Sequence, residues 1–75
     1  MKVGEFIMKL IFWSGMSQKD VADKIGMKTP VLNDIIKGRR GINAKYAQAF
    51  ESLFGVPAIV LLTYQSHDEL QENRL

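Results

Sequence analysis

The residues with chemistry to offer are cations. Between residues 17 and 45 stand Lys19, Lys24, Lys28, Lys37, Arg39, Arg40 and Lys45, seven cations against the three aspartates Asp20, Asp23 and Asp34, a surplus of +4. Charges grouped this way suit a polyanion, because each can neutralise a phosphate and release its counterion. The remainder runs the other way: Arg74 against Glu51, Asp68, Glu69 and Glu72 gives residues 46–75 a net −3, and Lys2 and Lys9 against Glu5 give residues 1–16 a net +1. A basic middle with an acidic tail fits a nucleic-acid face, and charge alone fits an ordinary solvated surface equally well. Covalent and metal chemistry lack material. There is no cysteine, which excludes a disulfide scaffold, thiol catalysis and a cysteine-rich zinc site. No nucleophile stands beside a base, and no glycine-rich loop could cradle a phosphate. His67, the one histidine, has only Asp68 and Glu69 beside it, a poor metal set. We expect a binding protein: not an enzyme, with no cofactor and no metal.

Something must hold those cations. The 75 residues make one domain, 1–75, 47% apolar and 24% charged. A chain this short buries only about 60% of the surface exposed by its unfolded form, so its core is marginal. The longest apolar run, Val56 to Leu62, is broken by Pro57 and falls far short of the ~20 residues that span a bilayer. Glu5 and Lys9 interrupt the apolar N-terminal stretch, so it does not read as a signal peptide. These readings lead us to expect a cytoplasmic protein without a membrane partner.

Helical spacing recurs along the chain and strand alternation is weak, which predicts an all-α domain of five helices. The first covers Val3 to Trp13, with Phe6, Ile7, Leu10 and Ile11 as its apolar stripe. Ser17 opens the second, and Asp20 three residues on completes a capping box; Val21, Ala22 and Ile25 form the inner face. Thr29 suits the N-cap of the third, followed by Pro30 at the first helical position, with Leu32, Ile35 and Ile36 inward. Asn43 caps the fourth, whose inner face is Ala47, Phe50, Leu53 and Phe54. The fifth begins near Pro57 and runs to about Asp68 or beyond. Its Ile59, Val60, Leu61, Leu62 and Tyr64 cover more than one face, so it must be buried on several sides, as a central helix or in a dimer. Residues 69–75 read as a frayed tail. Trp13 and the phenylalanines read as core, and Met8, Met16 and Met27 as core fillers.

The second and third helices are separated by only Gly26, Met27 and Lys28. Counting from Gln18, Val21 and Ala22 are fourth and fifth, Ile25 to Met27 eighth to tenth, Leu32 fifteenth and Ile35 eighteenth. A helix-turn-helix needs apolar, small, apolar, glycine and three further apolar residues at those places. Ala22 must be small because the next helix crosses above it. Gly26 must take a backbone conformation that costs other residues about 1 kcal/mol or more. Val21, Ile25, Leu32 and Ile35 lock the crossing. Seven agreeing places and two capped starts put a helix-turn-helix at about residues 17–37.

Ser17-Gln18-Lys19-Asp20-Val21-Ala22 through Ile36-Lys37-Gly38-Arg39-Arg40 resembles the lambda-repressor-like, or XRE, helix-turn-helix family. Within it, Leu32 to Asn43 is similar to the stretch that marks HigA-type antitoxins. Val3-Gly4-Glu5-Phe6-Ile7 resembles their opening, and Phe54-Gly55-Val56-Pro57 with Leu61, Leu62 and Gln65 resembles their last helix. The resemblance spans roughly residues 3–70. It implies a five-helix lambda-repressor-like DNA-binding domain with a central helix-turn-helix. It further implies a homodimer on a palindromic double-stranded DNA operator, repressing its own operon and neutralising an mRNA-cleaving, HigB-like toxin. The family usually carries a bulky aromatic where this chain has Leu61, and often an arginine and a serine where it has Thr29 and Pro30. That departure implies weaker or differently tuned base readout.

In such a fold the third helix enters the major groove N-terminus first. Lys28, Thr29, Pro30, Asn33 and Asp34 then face or flank the bases. Asn33 suits the N6 and N7 edge of adenine, Lys28 a guanine or a phosphate, and Pro30 a thymine methyl. Asp34 either accepts from cytosine N4 or orients Lys37 or Arg39. Gln18 and the free N–H groups at its helix start suit a phosphate. Lys37, Arg39 and Arg40 form the expected backbone clamp, with Lys45 a weaker candidate. Lys2, Glu5 and Lys9 are candidates for a toxin surface by resemblance.

Dimerisation is also expected from the chain itself, because the fifth helix has apolar surface to spare and one small domain holds few phosphates. Ile59, Leu61, Leu62 and Tyr64 are the expected interface. Two alternatives stay open: a solitary XRE-type or phage-type regulator without a toxin, and a protein-interaction module that has lost DNA binding. A dimer neutralising about eight phosphates should show a log–log salt slope of roughly −7, and an interaction module should show none.

Overall fold

A computed structural model describes the backbone of residues 2–72 and the side chains of residues 2–66. Five helices follow one another, α1 Val3–Ser14, α2 Gln18–Ile25, α3 Thr29–Ile36, α4 Ala44–Phe54 and α5 Ala58–Glu72, and every regular element among the described residues is helical. The chain is all-α, with the expected element order. The expected tail from residue 69 is helical backbone as far as Glu72, while residues 73–75 lie outside the described residues.

Local chemistry accounts for the starts of α2 and α4. The Ser17 hydroxyl accepts from the Asp20 N–H at 3.0 Å while the Asp20 carboxylate accepts from the Ser17 N–H at 3.5 Å, so the capping box forms. Asn43 Oδ1 accepts from the Tyr46 N–H at 2.8 Å and starts α4. At α5 the cap comes from another helix: Glu51 Oε1 accepts from the Ala58 N–H at 2.6 Å, placing a carboxylate where the helix dipole favours one. The expectation for α3 needs correction. Its N-cap is Lys28, not Thr29, and Pro30 is the second helical residue. The Lys28 carbonyl already accepts from the N–H groups of Val31 and Leu32, at 3.0 and 3.2 Å, so the Thr29 hydroxyl has no donor to cap. Proline is harmless there because the first N–H groups of a helix have no intrahelical partner.

The core gathers one stripe from each helix. Ile7, Val21, Ala22, Leu32, Ile35, Ala47, Phe50 and Leu61 are fully buried, with Val3, Ile11, Met27 and Ile42 almost so. The α1 stripe is therefore Val3, Gly4, Ile7 and Ile11, flanked by half-buried Phe6 and Leu10. Phe12 and Trp13, expected in the core, are 80% and 70% exposed, and Met8 is exposed as well. Successive helical residues turn about 100°, so once Ile11 faces inward the next two residues must swing out. Burying each large apolar side chain is worth about 1.5–3 kcal/mol, which fixes Phe50, Leu32 and Ile7 as the main anchors. α1 packs on α3 and α5, α2 on α3 and α4, and α4 on α5.

Gly4 sets the distance between α1 and α3. A Cβ there would lie 2.4 Å from the Ile35 carbonyl oxygen and 2.6 Å from that of Ile36, well inside contact distance. Both obstacles are backbone, so neither can rotate away. Gly4→Ala is expected to destabilise the fold by about 2 kcal/mol through overpacking, lowering the melting temperature by roughly 10 °C. Thermal denaturation followed by circular dichroism checks this; an unchanged midpoint would refute the close approach.

Candidate nucleic-acid interface

α2 and α3 meet across Ala22, which is fully buried together with Val21, Leu32 and Ile35. Gly26 ends α2 at φ +71° and donates its N–H to the carbonyls of Ala22 and Asp23. The next N–H, that of Met27, donates to the Ala22 carbonyl at 2.9 Å. Two consecutive donors closing on the end of α2 make a tight three-residue turn, and Met27 folds its side chain into the core. Ile25 is half-buried. The spacing read from the sequence and the packing agree at all seven places.

Leu32 and Ile35 face inward with Val31 and Ile36 half-buried against the core beside them, and the remaining residues of α3 face out. At 100° per residue, Thr29, Pro30, Asn33, Asp34 and Lys37 occupy an arc of about 140° opposite that stripe. Lys28, Thr29, Pro30 and Lys37 are exposed, and Asn33 and Asp34 are half-buried. This surface offers an ammonium, a hydroxyl, a carboxamide and an apolar ring, the groups that read base edges and methyls in a major groove. Asp34 has a cation beside it: its Oδ1 lies 3.6 Å from a guanidinium nitrogen of Arg39, and its carbonyl accepts from the Arg39 N–H at 2.9 Å. Of its two expected roles, orienting a cation is the one this geometry carries. An exposed pair of this kind adds little stability, but it holds Arg39 against the outward face of α3.

Gln18 is the first residue of α2 and half-buried. Because Ser17 caps the Asp20 N–H, the N–H groups of Gln18 and Lys19 remain at the helix start without intrahelical partners, as helix geometry requires. Positive dipole and free donors together suit an anion. Arg39 and Arg40 are exposed in the loop between α3 and α4, and Lys45 is exposed in the first turn of α4. Among the described residues no group of acids and histidines could hold a metal ion, and the side chain of His67 lies outside them. No helix among the described residues is long and apolar enough to cross a membrane.

α5 divides the expected interface residues. Leu61 is 0% exposed, seated among the core side chains of this same chain. It has no surface left to offer a second copy, and its assignment to the interface is corrected: the core of its own chain covers it completely. Leu62 is half-buried against the core, and Tyr64 stacks on Phe6 with ring centroids 4.9 Å apart. Ile59, at 68% exposure, points out. It borders an apolar groove of about 290 Å³ lined by Ile59, Val60, Thr63 and Tyr64. Val60 and Thr63 thus line the exposed groove of α5, and Leu61 does not. The helical period could not reveal this, because apolar residues surround the helix.

The model of the helix-turn-helix family matches residues 9–61. No curated protein matches. Among solved structures, the chain is similar to Pseudomonas aeruginosa antitoxin HigA with the higBA promoter, at 25% identity and a TM-score of 0.89, over 96% of this chain and 79% of that one. It is also similar to an addiction module antidote protein of the HigA family from Coxiella burnetii, at 25% identity and a TM-score of 0.86, over 96% and 79%. PA4674 of Pseudomonas aeruginosa, in complex with its 28-bp operator DNA, superposes with a TM-score of 0.91 over 99% and 82% of the two chains. At 24% identity that last likeness is one of fold.

Proposed function

We propose that this chain, which belongs to the helix-turn-helix family, is a sequence-specific DNA-binding repressor, the HigA-like antitoxin of a toxin–antitoxin operon. It binds a palindromic operator as a homodimer and neutralises an mRNA-cleaving, HigB-like toxin. The carrying observation is the outward face of α3. Thr29, Pro30, Asn33 and Lys37 lie on one arc with exposed Lys28 just before the helix start, and Asp34 ties Arg39 of the following loop to it. In this reading α3 enters the major groove, Asn33 and Lys28 read base edges, and Gln18, Lys37, Arg39 and Arg40 hold phosphates on either side. The likeness to two proteins of the HigA family supports the antitoxin branch.

Selection from a random duplex pool at two salt concentrations tests the DNA half. A palindrome should be enriched, with binding that weakens along a log–log slope of roughly −7. No enriched site and no salt dependence would leave the chain a protein-interaction module.

The toxin half has its own surface. Met8, Phe12 and Trp13 stand exposed on α1, an apolar patch of the kind that marks a protein contact, with Lys9 beside it. We expect Phe12→Ser with Trp13→Ser to weaken toxin capture at least ~100-fold, as for buried aromatic hot spots, while operator affinity stays within about 2-fold. The antitoxin reading expects a small basic protein encoded next to this gene, and calorimetry with that protein and with the operator checks both. A double variant that binds that protein normally would remove α1 from the toxin surface. An operon without such a neighbour favours the solitary regulator.

A further inference from the structure

The loop from Lys37 to Asn43 carries Arg39 and Arg40, yet it contains no helix or strand of its own. Its near end is bound to α3, where the Gly38 N–H donates to the Ile35 carbonyl at 3.1 Å and the Arg39 N–H to the Asp34 carbonyl at 2.9 Å. Its far end is held from a different part of the chain. Gln65 of α5 reaches across 23 residues and makes two bonds to one peptide residue. Its Oε1 accepts from the Ile42 N–H at 2.5 Å, and its Nε2 donates to the Ile42 carbonyl at 2.7 Å. The Ile42 side chain is itself buried, so this residue is anchored through both backbone and side chain.

Only a carboxamide presents a donor and an acceptor side by side. Glutamate would keep the acceptor and set a second oxygen against the Ile42 carbonyl; leucine would leave both polar groups of Ile42 unpaired. The neighbouring residue makes room for the contact. A Cβ on Gly41 would lie 2.8 Å from Gln65 Oε1, so a side chain there would push the carboxamide off the loop. Gly41, Ile42 and Gln65 therefore act as one joint between α5 and the basic loop.

We infer that Gln65 is a positioning residue of the DNA-binding surface: it pins the far end of the loop so that Arg39 and Arg40 are presented to phosphate already ordered. The inference rests on the DNA-binding reading. Gln65 touches no DNA in it and acts through the loop. An arch fixed at both ends loses less conformational freedom on binding than one fixed only at α3. Releasing it should cost Arg40 its phosphate contact before it costs the fold its core, because Arg39 stays paired with Asp34 and α5 remains anchored by Leu61.

The test compares wild type with Gln65→Leu in the full chain, on the duplex selected from the random pool, over a range of salt. The Ile42 amide should exchange at least ~10-fold faster, as expected when a protecting bond is lost. Operator affinity should fall about 3- to 10-fold, the range of one or two ordering contacts. The log–log salt slope should flatten by about 2, since each protomer loses one phosphate contact worth about 0.9. Arg40→Ala should weaken binding in the wild-type background and by no more than about 2-fold in the Gln65→Leu background, the signature of coupled residues. If the leucine variant fails to fold by circular dichroism, Gln65→Asn replaces it, keeping the polarity and losing only the reach. A steep wild-type slope that the substitution does not move, an Arg40→Ala effect equal in both backgrounds, or unchanged Ile42 exchange would each overturn the inference and leave Gln65 as fold support. A wild-type slope near zero would remove the DNA-binding reading and the inference with it.

Discussion

Ile59→Asp is expected to yield a folded monomer whose operator affinity falls by more than about 100-fold. The side chain is mostly exposed, so folding loses little with it. Aspartate in the first turn of α5 also meets the positive end of the helix dipole, which favours it by a few tenths of a kcal/mol or more. The surface it enters is different. Across a two-fold axis the same patch meets itself, so each interface would receive two carboxylates against the apolar groove of Val60, Thr63 and Tyr64. Affinity falls because two linked half-sites bind with an effective concentration near millimolar, an advantage of ~10²–10⁴ that a monomer forfeits. Sedimentation equilibrium and an operator titration on one preparation check both halves. Leu61→Asp is the contrast: it buries an unpaired carboxylate in the core and should unfold the chain outright. An Ile59→Asp protein that remains dimeric would move the interface off α5.

Replacing Lys37, Arg39 and Arg40 together with alanine should flatten the salt slope by about 5 in the dimer, six phosphate contacts at about 0.9 each. Near physiological salt the expected loss is on the order of 10³-fold, and it should be nearly uniform across sequences, because phosphate contacts carry little base information. All three side chains are exposed, and the Asp34–Arg39 pair contributes little to folding, so thermal stability should stay within about 0.5 kcal/mol of wild type. Asn33→Ala predicts the opposite pattern: a loss of about 1–3 kcal/mol confined to the one base it reads, with the slope unchanged. Titration of the selected duplex and a single-base variant, each over a range of salt, separates the two. A triple variant that keeps the wild-type slope would show that these cations face solvent in the complex.

What the amino-acid sequence determined by itself is whatever is encoded within a single turn or one short supersecondary unit. Ser17 with Asp20 and Asn43 with Tyr46 make their caps inside a single turn, so residue type and spacing suffice to place the starts of α2 and α4. The seven places of the helix-turn-helix are legible for the same reason: Gly26, Ala22 and the flanking apolar residues act within one short supersecondary unit. The outward face of α3 follows, because Leu32 and Ile35 leave only one side for Thr29, Pro30 and Asn33. α1 and α5 were not decided this way. Their apolar residues surround the helix, so periodicity cannot say which of them faces a neighbour. Only the positions of α3, α4 and α5 around them send Phe12, Trp13 and Ile59 outward and close Leu61 in. The remaining contacts join distant segments: Gly4 against the carbonyls of Ile35 and Ile36, and Gln65 on the backbone of Ile42. Each depends on a separation that no local pattern records, because packing of whole helices fixes where two backbones approach. The tertiary structure thereby joined the basic loop, legible from its composition, to the helix whose outward face we assign to the second subunit.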